Sequence, residues 1–296
     1  MKYKVRSWLL AVVVLSVSAV MPTHAAPSPE RSLGISPLRN ELTISPGTSF
    51  DGRLTLTNSG KSTLSVTMDA EVFSVTDEAY NYSFDPAGKG VDWVSFGDTS
   101  VTIDPGKSTT ISYKVAVPID SEPGGRYVSL FASSSPTTAA SGVISINRVA
   151  SLLYITVAGD VTRTGKVLTF NSPLLAFGNP TWTAALQNSG STHFHSLYSV
   201  SVTSLFGGSA LTSTQGDSLI LPSSVRLLSQ VIPYPQWLGI YRLDYTIGLG
   251  DVPAQQETKW ILYLPPVQSL LILGILVGLF FLRPKQKKKS TPKHED

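Results

Sequence analysis

Several side-chain clusters in this 296-residue chain have types and spacings that could carry chemistry. Gly216-Asp217-Ser218-Leu219 is a block in which some hydrolases place a nucleophilic serine. A serine hydroxyl needs a base within hydrogen-bond reach. No Asp-x-x-His follows, and the one later histidine is His294, close to the C-terminus. Gly-Asp-Ser also makes a good turn between strands, and a turn is expected here. His193-x-His195 would set two imidazoles on one face of a strand, a geometry that can hold zinc. With no carboxylate near them in sequence, exposed strand histidines are expected instead. Asp69, Glu71, Asp77, Glu78, Asp85, Asp92 and Asp98 crowd one stretch. Their spacing fits neither an EF-hand nor a carboxylate pair for glycoside hydrolysis, so a solvated face is expected. The chain has no cysteine, which excludes thiol nucleophiles, disulfides and Cys-ligated zinc. No catalytic set, metal site or cofactor motif emerges, and an enzyme is not expected.

The segment 74–90 is the strongest binding candidate. It is long for a connection between strands and carries Tyr80, Tyr82 and Phe84 among acids and glycines. Long unpatterned loops are often functional, and exposed aromatic rings stack on sugars or anchor protein partners. Trp93, Trp182, Trp237 and Trp260 are expected as core or interface fillers.

The elements that would position these residues are strands. Ser49–Asn58 alternates, with Phe50, Leu54 and Leu56 against Asp51, Arg53 and Thr55. Leu64–Phe73 and Ser108–Pro118 repeat that period of two, which reads as antiparallel strands with one buried face. Ser45-Pro46-Gly47 and Asp104-Pro105-Gly106 place proline and glycine at the two central positions of a type II turn. Leu56-Thr57-Asn58-Ser59-Gly60 is echoed by Leu186-Gln187-Asn188-Ser189-Gly190, and the segment 123–130 by 238–245. A repeat of about 130 residues predicts two sandwiches of one plan. The expected architecture is all-β: a first immunoglobulin-like sandwich over 26–158, a linker at 159–165 and a second sandwich over 166–264.

The two ends locate the protein. Lys2, Lys4 and Arg6, an apolar run from Trp8 to Met21 and Thr23-His24-Ala25 read as a signal peptide over 1–25. Near the C-terminus, 267–282 holds no charge and is followed by six Lys/Arg. Basic residues beyond an apolar segment mark the cytoplasmic side. A transmembrane helix over 265–282 and a basic cytoplasmic tail over 283–296 are therefore expected, with the sandwiches outside and 267–282 in the lipid bilayer. Gly274 and Gly278 form a G-x-x-x-G that could support a weak homodimer. Leu264-Pro265-Pro266-Val267-Gln268 departs from a sortase motif at its diagnostic threonine and glycine. Three of the 23 Lys/Arg lie in the leader and six in the tail, leaving 14 against 18 acids between them. That exported part carries −4, which argues against nucleic acid as a partner.

The stretch from Ile35 to Asn58, followed by Asp92-Trp93, the Pro-Gly turn and Pro123-Gly124-Gly125-Arg126-Tyr127, resembles the first domain of WxL-interacting proteins. That resemblance implies an immunoglobulin-like peptidoglycan-binding domain, a second sandwich, one C-terminal span and a basic tail. The first domain is also similar to the N-terminal sandwich of pilus chaperones. The expected function is attachment to cell-wall glycan or to a surface-protein partner; the alternative is a chaperone-like protein that assists exported subunits by strand addition.

Overall fold

The computed structural model describes residues 31–135, 137–138, 144–205, 210–233 and 237–281. The expected signal peptide and basic tail lie outside the described residues. The first unit contains β1 (Leu33–Ser36), β2 (Arg39–Ile44), β3 (Ser49–Asn58), β4 (Leu64–Val75), β5 (Tyr82–Asp85) and β6 (Val94–Phe96). It continues with β7 (Ser100–Ile103), β8 (Ser108–Ala116), β9 (Gly124–Ser134), the small hairpin β10 (Thr137–Thr138) and β11 (Ile144–Ser145), and β12 (Arg148–Val157). A sheet in the order β1-β3-β8-β6 faces one in the order β2-β12-β9-β4-β5, with β7 also on β4. The alternation read from sequence becomes the core: Leu54, Leu56, Val66, Ile111, Val115, Leu130 and Ile155 point between the sheets.

The second unit holds β13 (Gly165–Asn171), β14 (Leu175–Ala176), β15 (Thr181–Asn188), β16 (Phe194–Ser204), β17 (Thr212–Ile220), β18 (Val225–Val231), β19 (Gly239–Leu249) and β20 (Val252–Tyr263). Here β13-β15-β18 faces β14-β20-β19-β16-β17. Trp182, Leu186, Val202, Leu243 and Tyr245 fill the space between them. The protein is thus all-β, with two sandwiches in tandem. Among the described residues one α-helix, α1 (Pro266–Phe281), follows β20 after two residues. It covers 16 residues, and no helix among the described residues is long and apolar enough to cross a membrane.

Local chemistry explains the repeat. Asn58 and Asn188 are both fully buried at the end of a strand. The Asn58 side-chain amide donates to the carbonyls of Ser62 (2.8 Å) and Ile103 (2.9 Å), and its oxygen accepts from the Gly60 N–H at 3.0 Å. Asn188 does the same with Thr192 (2.9 Å), Ile220 (2.8 Å) and Gly190 (2.8 Å). Each Asn therefore closes its own turn and pins a distant strand end. The two Pro-Gly turns form as read, with Gly47 at φ 75° and Gly106 at φ 70°. The N–H groups of Thr48 and Lys107 close them onto Ser45 and Asp104.

Leaving buried carbonyls and an N–H without partners costs about 1–3 kcal/mol per group. Asn58→Ala and Asn188→Ala, each orphaning three groups, should therefore each lower unfolding free energy by about 3 kcal/mol or more in a denaturant titration. A loss below about 0.5 kcal/mol would show that water replaces the amide, and that the repeat has another cause.

Candidate functional site at the seam and the β5 edge

The segment 74–90 is not an unpatterned loop. β4 runs on to Val75, the chain turns through 76–81, and β5 returns along β4 with Phe84 opposite Phe73 and Tyr82 opposite Val75. Asp77 holds the turn by accepting from the Asn81 backbone N–H and side-chain amide, and these bonds lower its carboxyl pKa. Tyr80, at φ 68°, swings into the second sandwich and is buried. Its phenol oxygen accepts from the Leu221 N–H (2.7 Å) and pairs with Ser224 Oγ (3.0 Å). The Arg226 guanidinium lies over its ring at 4.2 Å. Tyr80, expected as a ligand contact, is instead an interface residue. Tyr82 and Phe84 remain 39% and 38% exposed on the outer face of the sheet.

Their neighbours form a ladder of rings across that face. Phe84 meets Phe131 edge-on at 5.0 Å, Phe73 meets Tyr82 (5.4 Å) and Tyr154 (5.3 Å), and Tyr154 meets Tyr127 at 5.8 Å. Arg148 caps Phe131 from 3.5 Å and is held by Asp69 and Glu71. Two of the crowded acids are thus spent on one arginine. The second sandwich docks on the other end of the ladder, where Phe73, Tyr80 and Tyr154 enclose Leu219 and Leu221. Backbone hydrogen bonds cross the seam from the Leu227 N–H to the Glu78 carbonyl (3.0 Å) and from the Gly125 N–H to the Ser191 carbonyl (2.9 Å).

The histidines lie in this seam rather than on an open strand, because the first sandwich covers the face that sequence alone leaves bare. His193 is buried against Tyr127 and Tyr154, its backbone N–H donating to the Tyr127 hydroxyl at 3.0 Å. Burial pulls its imidazole pKa down to about 4, outweighing the attraction of Glu41. It stands 3.9 Å from Glu41 but is neutral at ordinary pH, so that approach is not an ion pair. His195 is the opposite case. Its Nδ1 lies 2.8–2.9 Å from both Asp217 oxygens, and its Nε2 3.0 Å from both Glu41 oxygens. Carboxylates only accept, so both ring nitrogens must donate, and the ring is an imidazolium. Burial works against this charge, but the Asp217 and Glu41 hydrogen bonds prevail and raise its pKa. Glu41 comes from β2 and Asp217 from β17, so the ring clamps one sandwich to the other.

Ser218 lies inside β17 opposite Ser196, not in the expected turn. Strand alternation turns it into the core of the second sandwich and away from His195, which meets Asp217 on the opposite face. Its nearest polar partner is the Tyr198 hydroxyl, 3.4 Å away. The tryptophans divide: Trp182 is fully buried and Trp93 half-buried, whereas Trp237 and Trp260 are 70% and 45% exposed rather than fillers. Trp93 borders an open groove of about 640 Å³ with Gly88, Lys89, Gly90, Asp92 and Arg126, whose guanidinium stands 5.9 Å from the indole.

One surface was not visible in the sequence. The Thr76 N–H donates to the Asn81 carbonyl, which fixes the alternation of the β4–β5 ladder. Residues 81, 83 and 85 bond to β4, so the backbone groups of Tyr82 and Phe84 point away from it. β5 is the last strand of its sheet. It presents an open hydrogen-bonding edge flanked by two half-exposed rings.

No protein-family model and no curated protein matches this chain. Among solved structures it is similar to the class 5 fimbriae chaperone CfaA, at 9% identity over 78% of this chain and 99% of that one, with a TM-score of 0.41. It is also similar to the CsuC–CsuE chaperone–tip subunit pre-assembly complex of Acinetobacter baumannii (11% identity, 79% and 99% covered, TM-score 0.37). The E. coli chaperone DraB is another such structure (14% identity, 77% and 98% covered, TM-score 0.35). Likenesses this distant do not assign a function.

The two histidines give the seam a pH optimum. His193, with its pKa lowered on folding, contributes stability that is present above the unfolded value of about 6.5 and lost as pH falls toward about 4. His195, with its pKa raised, contributes stability that is complete below about 6.5 and lost as pH rises through the folded value. Thermal unfolding should therefore show a midpoint that declines on both sides of about pH 6–7. In His195→Gln the decline above about pH 6.5 should flatten while the acid limb persists. An unchanged alkaline limb would show that the clamp is not charged.

Proposed function

We propose that this protein is an outward-facing binding protein, held at the membrane by the segment 265–282, that captures an extended segment of a surface-protein partner by strand addition on β5. The observation that carries the reading is the open β5 edge. An added strand finds unpaired N–H and C=O groups there, and its side chains fall beside Tyr82 and Phe84. Strand addition, expected from sequence for the alternative of a chaperone-like protein that assists exported subunits, is here the means by which the surface partner is held. The resemblance to WxL-interacting proteins, the leader and the basic residues after the apolar segment support the outward position. The apolar run continues to Leu282, one residue past α1. Flanking residues at the interface, together with local thinning of the bilayer, offset a short span.

A second reading, cell-wall glycan, rests on the Trp93 groove, where an indole, an arginine and a carboxylate border an open surface suited to sugar hydroxyls and ring faces. The two readings separate by mutation. In capture assays against surface-protein extract, the full chain carrying Tyr82→Ala and Phe84→Ala should bind about tenfold more weakly, as expected for aromatic anchors worth ~1–2 kcal/mol. Its thermal midpoint should stay within a few degrees, because the Tyr80 plug remains. If capture is untouched while Trp93→Ala abolishes retention on wall fragments, the glycan reading replaces the first.

A further inference from the structure

The outer face of the β14-β20-β19-β16 sheet changes character along its strands. At the end where β20 leads into α1, Leu175, Leu262 and Ile240 on three adjacent strands and Leu205, just past the end of β16, form one row. They are 46%, 38%, 45% and 46% exposed. Two residues further along, the same face carries Trp260 and Arg242, opposite one another and both exposed. The next pair is Thr258 and Asp244, joined by a 2.9 Å hydrogen bond, and the pair after that is Gln256 and Thr246. Each step is about 7 Å along the strand. The face thus passes from aliphatic, through indole and guanidinium, to wholly polar within about 20 Å. Trp237, 70% exposed, precedes β19 at the apolar end.

Scattered apolar residues on a surface need no explanation, but a contiguous row does. A lipid surface accounts for this order, because a bilayer presents the same order in depth. Acyl chains come first, then an interface that favours Trp and the snorkelling of Arg, then water. The row is also continuous with the apolar helix. Only Leu264 and Pro265 separate β20 from α1, and the Leu238 N–H donates to the Gln268 side-chain oxygen at 2.8 Å, tying the helix start to the strand beside the row. We propose that the base of the second sandwich docks into the outer interface of the lipid bilayer, with the Leu175–Leu205 row at acyl depth and Trp260, Trp237 and Arg242 at the headgroups. This rests on the membrane-held reading above and deepens it. The second sandwich is then a foot that fixes the height and tilt of the binding sandwich, not a free body on a tether. The depth required, one row of side chains plus the tryptophan level, matches the ~5–10 Å that interfacial elements reach.

The test uses the full chain reconstituted into phosphatidylcholine vesicles containing phosphatidylglycerol and lipids brominated near the headgroup. Flotation reports whether the chain is in the membrane; bromine quenching of tryptophan reports where the foot lies. The chain should float, and in a Trp8→Phe, Trp93→Phe background its quenching should be at least twice that of the chain also carrying Trp237→Phe and Trp260→Phe, since the one indole then left, Trp182, is buried in the sandwich core. Leu175→Ser, Ile240→Ser and Leu262→Ser together should preserve flotation and the far-UV spectrum but remove that excess quenching. A chain that floats with Trp237 and Trp260 unquenched overturns the docked foot and assigns the row to a protein contact. A chain that does not float overturns the membrane-held reading and this inference with it.

Discussion

The hydroxyl of Tyr80 joins the two halves of this protein, and much of the remaining geometry depends on it. It takes the Leu221 N–H and pairs with Ser224, while its ring is covered by Arg226. The two described non-glycine residues with left-handed φ are Tyr80 (68°) itself and Ser223 (58°), which lies between its two partners Leu221 and Ser224 in sequence. Such conformations persist only where the surroundings over-determine them. Here the surroundings are Leu219 of β17, Leu221 just beyond it and the aromatic outer face of the first sandwich. Burial of the phenol raises its pKa, so the plug stays neutral and needs no counter-charge.

That packing decides the electrostatics of the seam. Two histidines separated by one residue experience opposite environments, because strand alternation does not govern what a second domain lays over them. His193 is enclosed by aromatic rings and loses its charge. His195 reaches the rim, where Glu41 and Asp217 meet it from the two sandwiches and keep its charge. A partly exposed ion triad of this kind contributes modestly to stability, but its geometry sets the register of one sandwich against the other.

The surfaces left open after docking carry the functional reading. At the first sandwich the second unit covers one end of the aromatic ladder and stops short of β5, whose edge is open and whose rings stay partly exposed. At the far end of the second sandwich, one sheet face becomes apolar where the chain enters α1. The open edge therefore lies beside the seam, two residues from Tyr80, and the apolar row lies on the second sandwich where β20 leads into α1.

Alternation, turn chemistry and the doubled Asn-Ser-Gly were legible in the sequence because each is local: period two makes a strand, proline and glycine make the turn, and the buried Asn closes its own loop. Those signals suffice for an all-β chain of two sandwiches. Ser218 and the segment 74–90 were misplaced because pairing is not local. A Gly-Asp-Ser that favours a turn lies within a strand once β16 supplies its ladder, and an aromatic, acidic stretch becomes a hairpin once β4 extends to meet it. Tyr80 could not be told from Tyr82 by sequence, since both are tyrosines two residues apart; which is buried depends on where Leu221 arrives, 141 residues later. The carboxylates that charge His195 come from positions 154 residues before it and 22 after it. Sequence thus determined the elements and their buried faces, because those follow from backbone geometry and hydrophobic period. Only the tertiary structure decided which outward faces are covered, because that depends on contacts between residues with no local signal of their meeting.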